Sequence, residues 1–361
     1  MAKIVVCTAS VGAGHDVPSR AIAAGIAARR PDVEVAIVDS LDLLGRAVRS
    51  VAEDSLRATF GRNRLHWVFG LQHRVFAQFP PGRALGRAGL HRVTGGRVER
   101  KLAAHKADLV VSTYPALTET LGFLRRAGRL QVPVVAAVTD LSSLWYWVAA
   151  GIDLHLLTHP ESMDEARRLA GGGEIRVATG MHDERFLSPP SRSDARRRLA
   201  IPGGPVVVVS GGGWGVGDVE GACRIALQAG AAHVLCLCGL NERLLRRVEA
   251  AFAGDPRVRP LPFVDDMPTT LAAADAVVHS TAGLTVLEAL LVGAQPVSFG
   301  WGTGHIRINN EAFRRFGLAE VAARPSQLVD ALRRAFATRR APLAPEYRGY
   351  PRAAELILEL L

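Results

Sequence analysis

Two glycine-rich turns, each following a short apolar run, hold the residue types best suited to chemistry. The first, Ser10-Val11-Gly12-Ala13-Gly14-His15, leads into a helix expected from about Val17 to Arg30. Glycines let the backbone turn sharply and approach a ligand, and a helix N-terminus offers amide donors with a partial positive charge, so this turn suits an anion. His15 stands where an imidazole can take a proton from a substrate hydroxyl near neutral pH. A lone histidine is more often structural, and the flanking glycines are what favour the catalytic reading. A dinucleotide site competes, because Asp39 ends the second expected strand where a ribose-binding acid would stand. It is the weaker reading, since Val17 occupies the third glycine position of G-x-G-x-x-G, where glycine permits close helix-to-strand packing.

The second turn, Ser210-Gly211-Gly212-Gly213-Trp214-Gly215-Val216-Gly217, has five glycines in eight positions, which suits a backbone kept clear of a diphosphate or a sugar. Its alternative is a plain flexible loop. Farther on, Pro262-Phe263-Val264-Asp265-Asp266-Met267-Pro268 precedes a strand at 275–279. Thr281-Ala282-Gly283 then turns into a helix starting Leu284-Thr285-Val286-Leu287-Glu288. The first amides of that helix can hold phosphate, and Glu288, one turn in, can accept hydrogen bonds from both ribose hydroxyls.

Alternating elements must position these turns. Expected strands fall at 3–8, 33–38, 108–112, 133–139 and 153–158, and again at 205–210, 233–238, 275–279 and 295–299, with helical stretches between them. That alternation predicts parallel sheets wound on both faces by helices. At 361 residues the chain suits two domains, and the pattern breaks around Leu187-Ser188-Pro189-Pro190-Ser191. The expected division is 1–190, 191–345, and a C-terminal helix in 346–361 packing back on the first domain. Two such Rossmann-like α/β domains facing a cleft would bind ligands outside the carboxyl ends of their strands.

An apolar fraction of 48% with 36 Gly and 20 Pro argues against disorder. The start shows no signal-peptide pattern and no apolar run is long enough to span a bilayer, which reads as cytoplasmic. Cys7, Cys223, Cys236 and Cys238 have no zinc spacing and read as buried apolar residues. Residues 46–106 carry eleven Arg and two Lys against Glu53, Asp54 and Glu99, which accounts for the whole net charge of +10. Trp67, Phe69, Phe76 and Phe79 are interleaved with Arg62, Arg64, Arg74 and Arg83, a pattern that suits an anionic membrane surface or, equally, a solvated helical face. Nucleic acid is not an expected partner.

At these motifs the chain resembles the GT-B glycosyltransferases of family 28, among them the lipid II-forming N-acetylglucosaminyltransferase, the monogalactosyldiacylglycerol synthases and the diacylglycerol glucosyltransferases. "SVGAGH" is similar to the family's first glycine loop, which implies donor contacts at Gly12, Ala13 and Gly14 and a general base at His15. "SGGGWGVG" is similar to the second loop, implying contacts from Gly212, Gly213 and Trp214. "PFVDDMP" resembles the uracil-binding stretch, so that Phe263 would pack on the base and Val264 would present backbone groups to its edge. "AGLTVLEA" implies phosphate contacts at Gly283, Leu284 and Thr285 and a ribose contact at Glu288. "GHIRINN" resembles the sugar-binding turn, with Asn309 in register and His305 where the family usually has glutamine. Val138-Thr139-Asp140 is similar to a motif on the first domain, which implies a catalytic role for Asp140 as partner of His15 or of the acceptor.

The resemblance implies an inverting transfer from a UDP-sugar to a hydroxyl of a lipid, a lipid-linked or another small-molecule acceptor, on the inner face of the plasma membrane if the basic segment docks there. It implies no cofactor and no metal. Asp39 with Asp42, and Asp265-Asp266, do not read as a D-x-D metal site. Transfer onto a soluble secondary metabolite, a nucleotide-sugar hydrolase or epimerase of the same fold, and a non-catalytic sugar-nucleotide binder are the alternatives.

Overall fold

The structure, a computed structural model, describes residues 1–10, 13–52, 80–280, 283–300 and 305–361, with the side chains of residues 13, 80–84 and 305 outside the description. The chain divides into two compact units, Met1–His182 with Tyr350–Leu361, and Asp183–Gly349. The sequence pattern suggested 190/191 and 345/346 instead. The earlier crossing has a local cause: Asp183 caps the short turn Glu184–Leu187, whose Phe186 is fully buried, and Arg185 donates to the carbonyl of Asp265 at 2.8 Å.

The first unit holds six parallel strands, β1 (Lys3–Thr8), β2 (Glu34–Asp39), β3 (Leu109–Ser112), β4 (Val134–Val138), β5 (Leu154–Leu157) and β6 (Glu174–Val177), in the order β2-β1-β3-β4-β5-β6. Side chains alternate across a strand, so Ile4 and Val6 face one side of the sheet and Val5 and Cys7 the other. Helix α1 (Ala13–Arg29) covers the first side with Ile22 and Ile26. The second side is covered by α2 (Ser40–Leu44), α3 (Pro80–His105) and α4 (Pro115–Arg126), the last burying Leu117, Leu121 and Leu124.

The second unit holds β7 (Val206–Ser210), β8 (His233–Leu237), β9 (Val258–Leu261), β10 (Ala276–His279), β11 (Gln295–Phe299) and β12 (Glu320–Ala322), in the order β12-β11-β10-β7-β8-β9 and again all parallel. Its helices include α5 (Val219–Ala229), α6 (Glu242–Ala251), α7 (Met267–Ala272), α8 (Leu284–Val292), α9 (His305–Arg315) and α10 (Pro325–Ala337). The last helix, α11 (Ala353–Leu358), belongs to the first unit. It packs on α1, where a Cβ at Gly25 would meet Ala354 at 3.1 Å, and Arg29 pairs with Glu355 at 3.0 Å.

Three strands absent from the sequence pattern, β6, β9 and β12, are three of the four sheet edges, the fourth being β2. An edge strand is buried on fewer sides and needs fewer apolar residues, and it tolerates proline because one row of amides has no ladder partner. Glu174-Ile175-Arg176-Val177 and Val258-Arg259-Pro260-Leu261 show both effects. The other difference is the start of α1, four residues before the expected Val17. His15 is therefore in a helical turn and not in a loop, and Pro18 lies inside the helix, where it lacks the amide that would donate to the Gly14 carbonyl.

Candidate active site

In an open parallel sheet, ligands bind where neighbouring strands send their connections to opposite faces. In the first unit that place lies between β1 and β3. His15 arrives from the β1 side and Thr113 from the β3 side. The imidazole Nδ1 lies 2.6 Å from the carbonyl oxygen of Thr113. A carbonyl only accepts, so Nδ1 is the nitrogen that carries hydrogen and donates, and the neutral ring keeps its lone pair on Nε2. The contact thus selects the Nδ1–H tautomer.

Buried hydroxyls hold this arrangement. The Oγ of Ser19 donates to the His15 carbonyl at 2.8 Å, and the Thr113 hydroxyl lies 3.1 Å from the carbonyls of both Cys7 and His15. The His15 ring meets Tyr114 edge-on at 5.3 Å and lies 5.7 Å from the ring of Trp147. Asp140 is buried, and its Oδ2 accepts the indole N–H of Trp147 at 2.9 Å, so one tryptophan touches both expected catalytic side chains. Arg87 of α3 steadies the same loop by donating to the carbonyl of Trp145 at 2.7 Å. Thr113, Tyr114 and Trp147 carried no signal in the sequence, because only the order of strands brings them to His15.

Asp39 is the N-cap of α2, where it accepts the amide of Leu41 at 2.9 Å and the hydroxyl of Ser10 at 2.7 Å. Arg49 reaches Asp39 at 3.1 Å and Asp42 at 2.9 Å. Both carboxylates are thereby engaged by protein donors. Among the described residues no group of three or more His, Cys, Asp or Glu is placed to hold a metal.

In the second unit the corresponding place lies between β7 and β10. The glycine loop leaves β7 and folds on itself, the amide of Val216 donating to Gly211 at 2.7 Å and that of Gly215 to Gly212 at 3.1 Å. A Cβ on Gly211 would sit 2.4 Å from the Val216 amide nitrogen, so that glycine is required by the loop's own closure. Ser280, at the end of β10, donates to the Val216 carbonyl and fastens the loop to the neighbouring strand. Trp214 projects from this loop with about half its surface exposed.

Helix α8 follows β10. Its N-cap is Gly283, at φ +106°, and among the described residues no cap side chain hydrogen-bonds its first amides, whereas α5, α6 and α7 are capped by Asp218, Asn241 and Asp266. An aspartate cap would repel an anion, and a glycine leaves the positive end of the helix open to one. Leu284 is buried and Thr285 half-buried at that end. Glu288 is half-buried one turn farther in, and desolvation, aided by the charge of Asp183, lifts its carboxyl to about 8. Phe263 is half-exposed on the segment leading to α7, which packs on α8, with Val264 beside it less exposed. Asn309 is fully buried in α9. Its neighbour Asn310 is equally buried, and neither side-chain atom of Asn310 has a hydrogen-bond partner among the described residues.

The structure therefore gathers Gly212, Gly213, Trp214, Gly283, Leu284, Thr285 and Glu288 at adjacent strand ends of one sheet, and His15, Gly14 and Asp140 in the other unit. Gly12 lies outside the described residues, as do the side chains of Ala13 and His305, although Ala13 starts α1 and His305 starts α9. Of the basic segment, residues 53–79 lie outside them too, including Trp67, Phe69, Phe76 and Phe79. Helix α3 continues it and exposes Leu85 and Val93 with Arg92, Arg97 and Arg100. No helix among the described residues is long and apolar enough to cross a membrane.

Two parallel six-stranded α/β units with these switch points define the GT-B architecture, and nearly the whole chain superposes on MurG of Acinetobacter baumannii. That match has a TM-score of 0.56 at 16% identity and covers 99% of this chain and 100% of the other. Residues 19–178 match the family model described as monogalactosyldiacylglycerol (MGDG) synthase. The processive diacylglycerol beta-glucosyltransferase of Staphylococcus epidermidis is 20% identical over 233 residues, 63% of this chain and 59% of that protein. The chloroplastic monogalactosyldiacylglycerol synthase 1 of Arabidopsis thaliana is 24% identical over 226 residues, 57% and 41% of the two chains. The chain is thus similar in sequence to the diacylglycerol glucosyltransferases and MGDG synthases and shares the GT-B fold, and it spans about three fifths of the length of the diacylglycerol glucosyltransferase it matches.

Proposed function

We propose that the protein is an inverting glycosyltransferase that moves a sugar from a UDP-sugar to a hydroxyl of a lipid or lipid-linked acceptor, without a metal. The observation that carries this reading is the uncapped N-terminus of α8, with Glu288 one turn behind it and the closed glycine loop on the neighbouring strand. Such a group suits a nucleoside diphosphate: amides for phosphate, a carboxylate for ribose, and Phe263 for the base. Asn309 and His305 would meet the sugar.

His15 would supply the base. Its Nε2 takes the acceptor proton while the acceptor oxygen bonds to the anomeric carbon. The bond from that carbon to the diphosphate breaks, and UDP leaves with the electron pair. The growing charge on UDP is met by the α8 N-terminus and the glycine-loop amides, the task a divalent metal performs in other transferases. Asp140 would act through Trp147 or on the acceptor itself.

A lipid acceptor is favoured by the relatives and by the arginine-rich exposed face of α3. On this reading the protein binds the inner face of a membrane peripherally through residues 46–106, and nucleic acid is not a partner. The test is transfer from UDP-, dTDP- and GDP-sugars to diacylglycerol or a glycolipid in mixed micelles, with and without EDTA. Transfer only to soluble acceptors would refute the lipid assignment, and loss of activity on chelation would refute metal independence. Rapid hydrolysis of UDP-sugar without acceptor would point to a hydrolase instead. Membrane docking requires sedimentation with anionic vesicles that weakens as salt rises.

A further inference from the structure

We propose that Asp183 and Arg185 form a positioning pair that ties Glu288 to the base-facing stretch 263–266, so that a uridine nucleotide meets the ribose-binding and base-binding groups as one preset unit. The inference rests on the nucleotide site proposed above and concerns two residues outside every motif that suggested it.

Arg185 lies in the turn Glu184–Leu187, with Asp183 as its cap. The guanidinium Nη2 donates to Asp183 Oδ2 at 2.6 Å and Nε donates to the same oxygen at 2.9 Å. Nη2 also donates to the carbonyl of Asp265 at 2.8 Å, and Nη1 stands 3.6 Å from the Asp266 carboxylate. Asp265 and Asp266 directly follow Phe263 and Val264, and Asp266 caps α7 through the amide of Thr269. A planar guanidinium can span these acceptors in fixed directions, which a lysine ammonium cannot.

The same turn packs against α8, the helix that carries Glu288, and buried Phe186 anchors it. Desolvation chiefly, and then the charge of Asp183, raise the Glu288 carboxyl, while Arg185 offsets the charge of Asp183. Among the described residues, the other charged or titratable groups on the elements that pack most on α8 are Glu184 in the turn, Asp266 at the head of α7, His279 at the end of β10, and Glu346 and Tyr347 of the short helix Ala344–Tyr347. The pair is partly exposed, so its ion pair adds little stability. Its effect is to place the base stretch and to set the charge that Glu288 feels.

The experiment measures UDP-sugar affinity of the whole protein from pH 6 to 9 in the wild type, Asp183→Asn, Arg185→Met and Arg185→Lys, with thermal melting as the folding control. Asp183→Asn should move the midpoint of the affinity profile to lower pH and tighten binding at pH 7 by up to about fivefold. Arg185→Met should move the midpoint the opposite way, weaken binding at pH 7, and reduce the preference for uridine over cytidine nucleotides. Arg185→Lys should restore the midpoint without restoring the base preference. Unmoved midpoints, or a uniform loss at every pH in both charge variants, would overturn the pair's role while leaving the site. A wild type that binds no uridine nucleotide at any pH would overturn the site reading and the pair with it.

Discussion

On the proposed reading, in which Glu288 receives the ribose, binding of a UDP-sugar should release a proton from Glu288. Its carboxyl is lifted to about 8 by desolvation and by Asp183, so the empty protein at pH 7 carries it mainly as the neutral acid. Two ribose hydroxyls need a group that only accepts, which is the carboxylate. Binding must therefore ionise Glu288, and a tenfold excess of the acid form corresponds to about 1.4 kcal/mol at pH 7. Affinity should rise about ninefold between pH 6 and 7 and about fivefold between pH 7 and 8, then level off, with nearly one proton released at pH 7. A UDP-sugar is the right probe because its diphosphate is fully ionised throughout this range. Titration calorimetry in two buffers of different ionisation enthalpy reads the proton directly. Glu288→Gln should flatten the pH profile and abolish the release. PH-independent affinity in the wild type, or the same slope in Glu288→Gln, would refute the reasoning.

Four further outcomes follow from the same geometry. His15→Ala should lower transfer by about 10²- to 10⁴-fold and leave nucleotide affinity unchanged, as read by turnover beside calorimetry. Trp147→Phe removes the indole donor from buried Asp140 and should cost about 1–3 kcal/mol of stability, measured by urea unfolding, as well as slowing transfer. His155 and His159 are buried, and desolvation lowers both to about 4. They are neutral in the fold, and the unfolded chain takes up protons first as pH falls below the ordinary imidazole value. Stability should therefore be full above about pH 6.5 and drop by roughly 2 kcal/mol per histidine at pH 5, as denaturant midpoints at the two pH values would show. Gly239→Ala places a Cβ 2.5 Å from the carbonyl oxygen of Gly213 at a φ of +60°, so it should disturb the glycine loop and weaken UDP-sugar binding without altering His15.

Much of the architecture was legible because central strands of a parallel sheet are buried on both faces. Runs such as Val206-Val207-Val208-Val209 admit no other reading once glycine turns and helical stretches follow them. Three of the four edge strands, β6, β9 and β12, were illegible for the opposite reason, since half-burial weakens the apolar signal that a strand pattern depends on, whereas the edge strand β2 was still legible. The candidate nucleotide residues could be picked out one by one, because a glycine turn into a helix and a carboxylate one turn later are local features. Their company was not. Thr113 lies 98 residues from His15, and neither position hints at the other until β1 and β3 pair.

What the sequence by itself determined is therefore local: which segments are strands or helices, where glycine frees a helix N-terminus, and which side chains can move protons or accept hydroxyls. Tertiary structure decided their chemical state. The order of strands selects the tautomer of His15 by offering Nδ1 a carbonyl, and it joins Asp140 to His15 through one indole. Burial and the placement of Asp183 lift the Glu288 carboxyl well above the ordinary carboxylate range. Tautomer, desolvation and electrostatic field depend on neighbours in space, which a chain acquires only by folding.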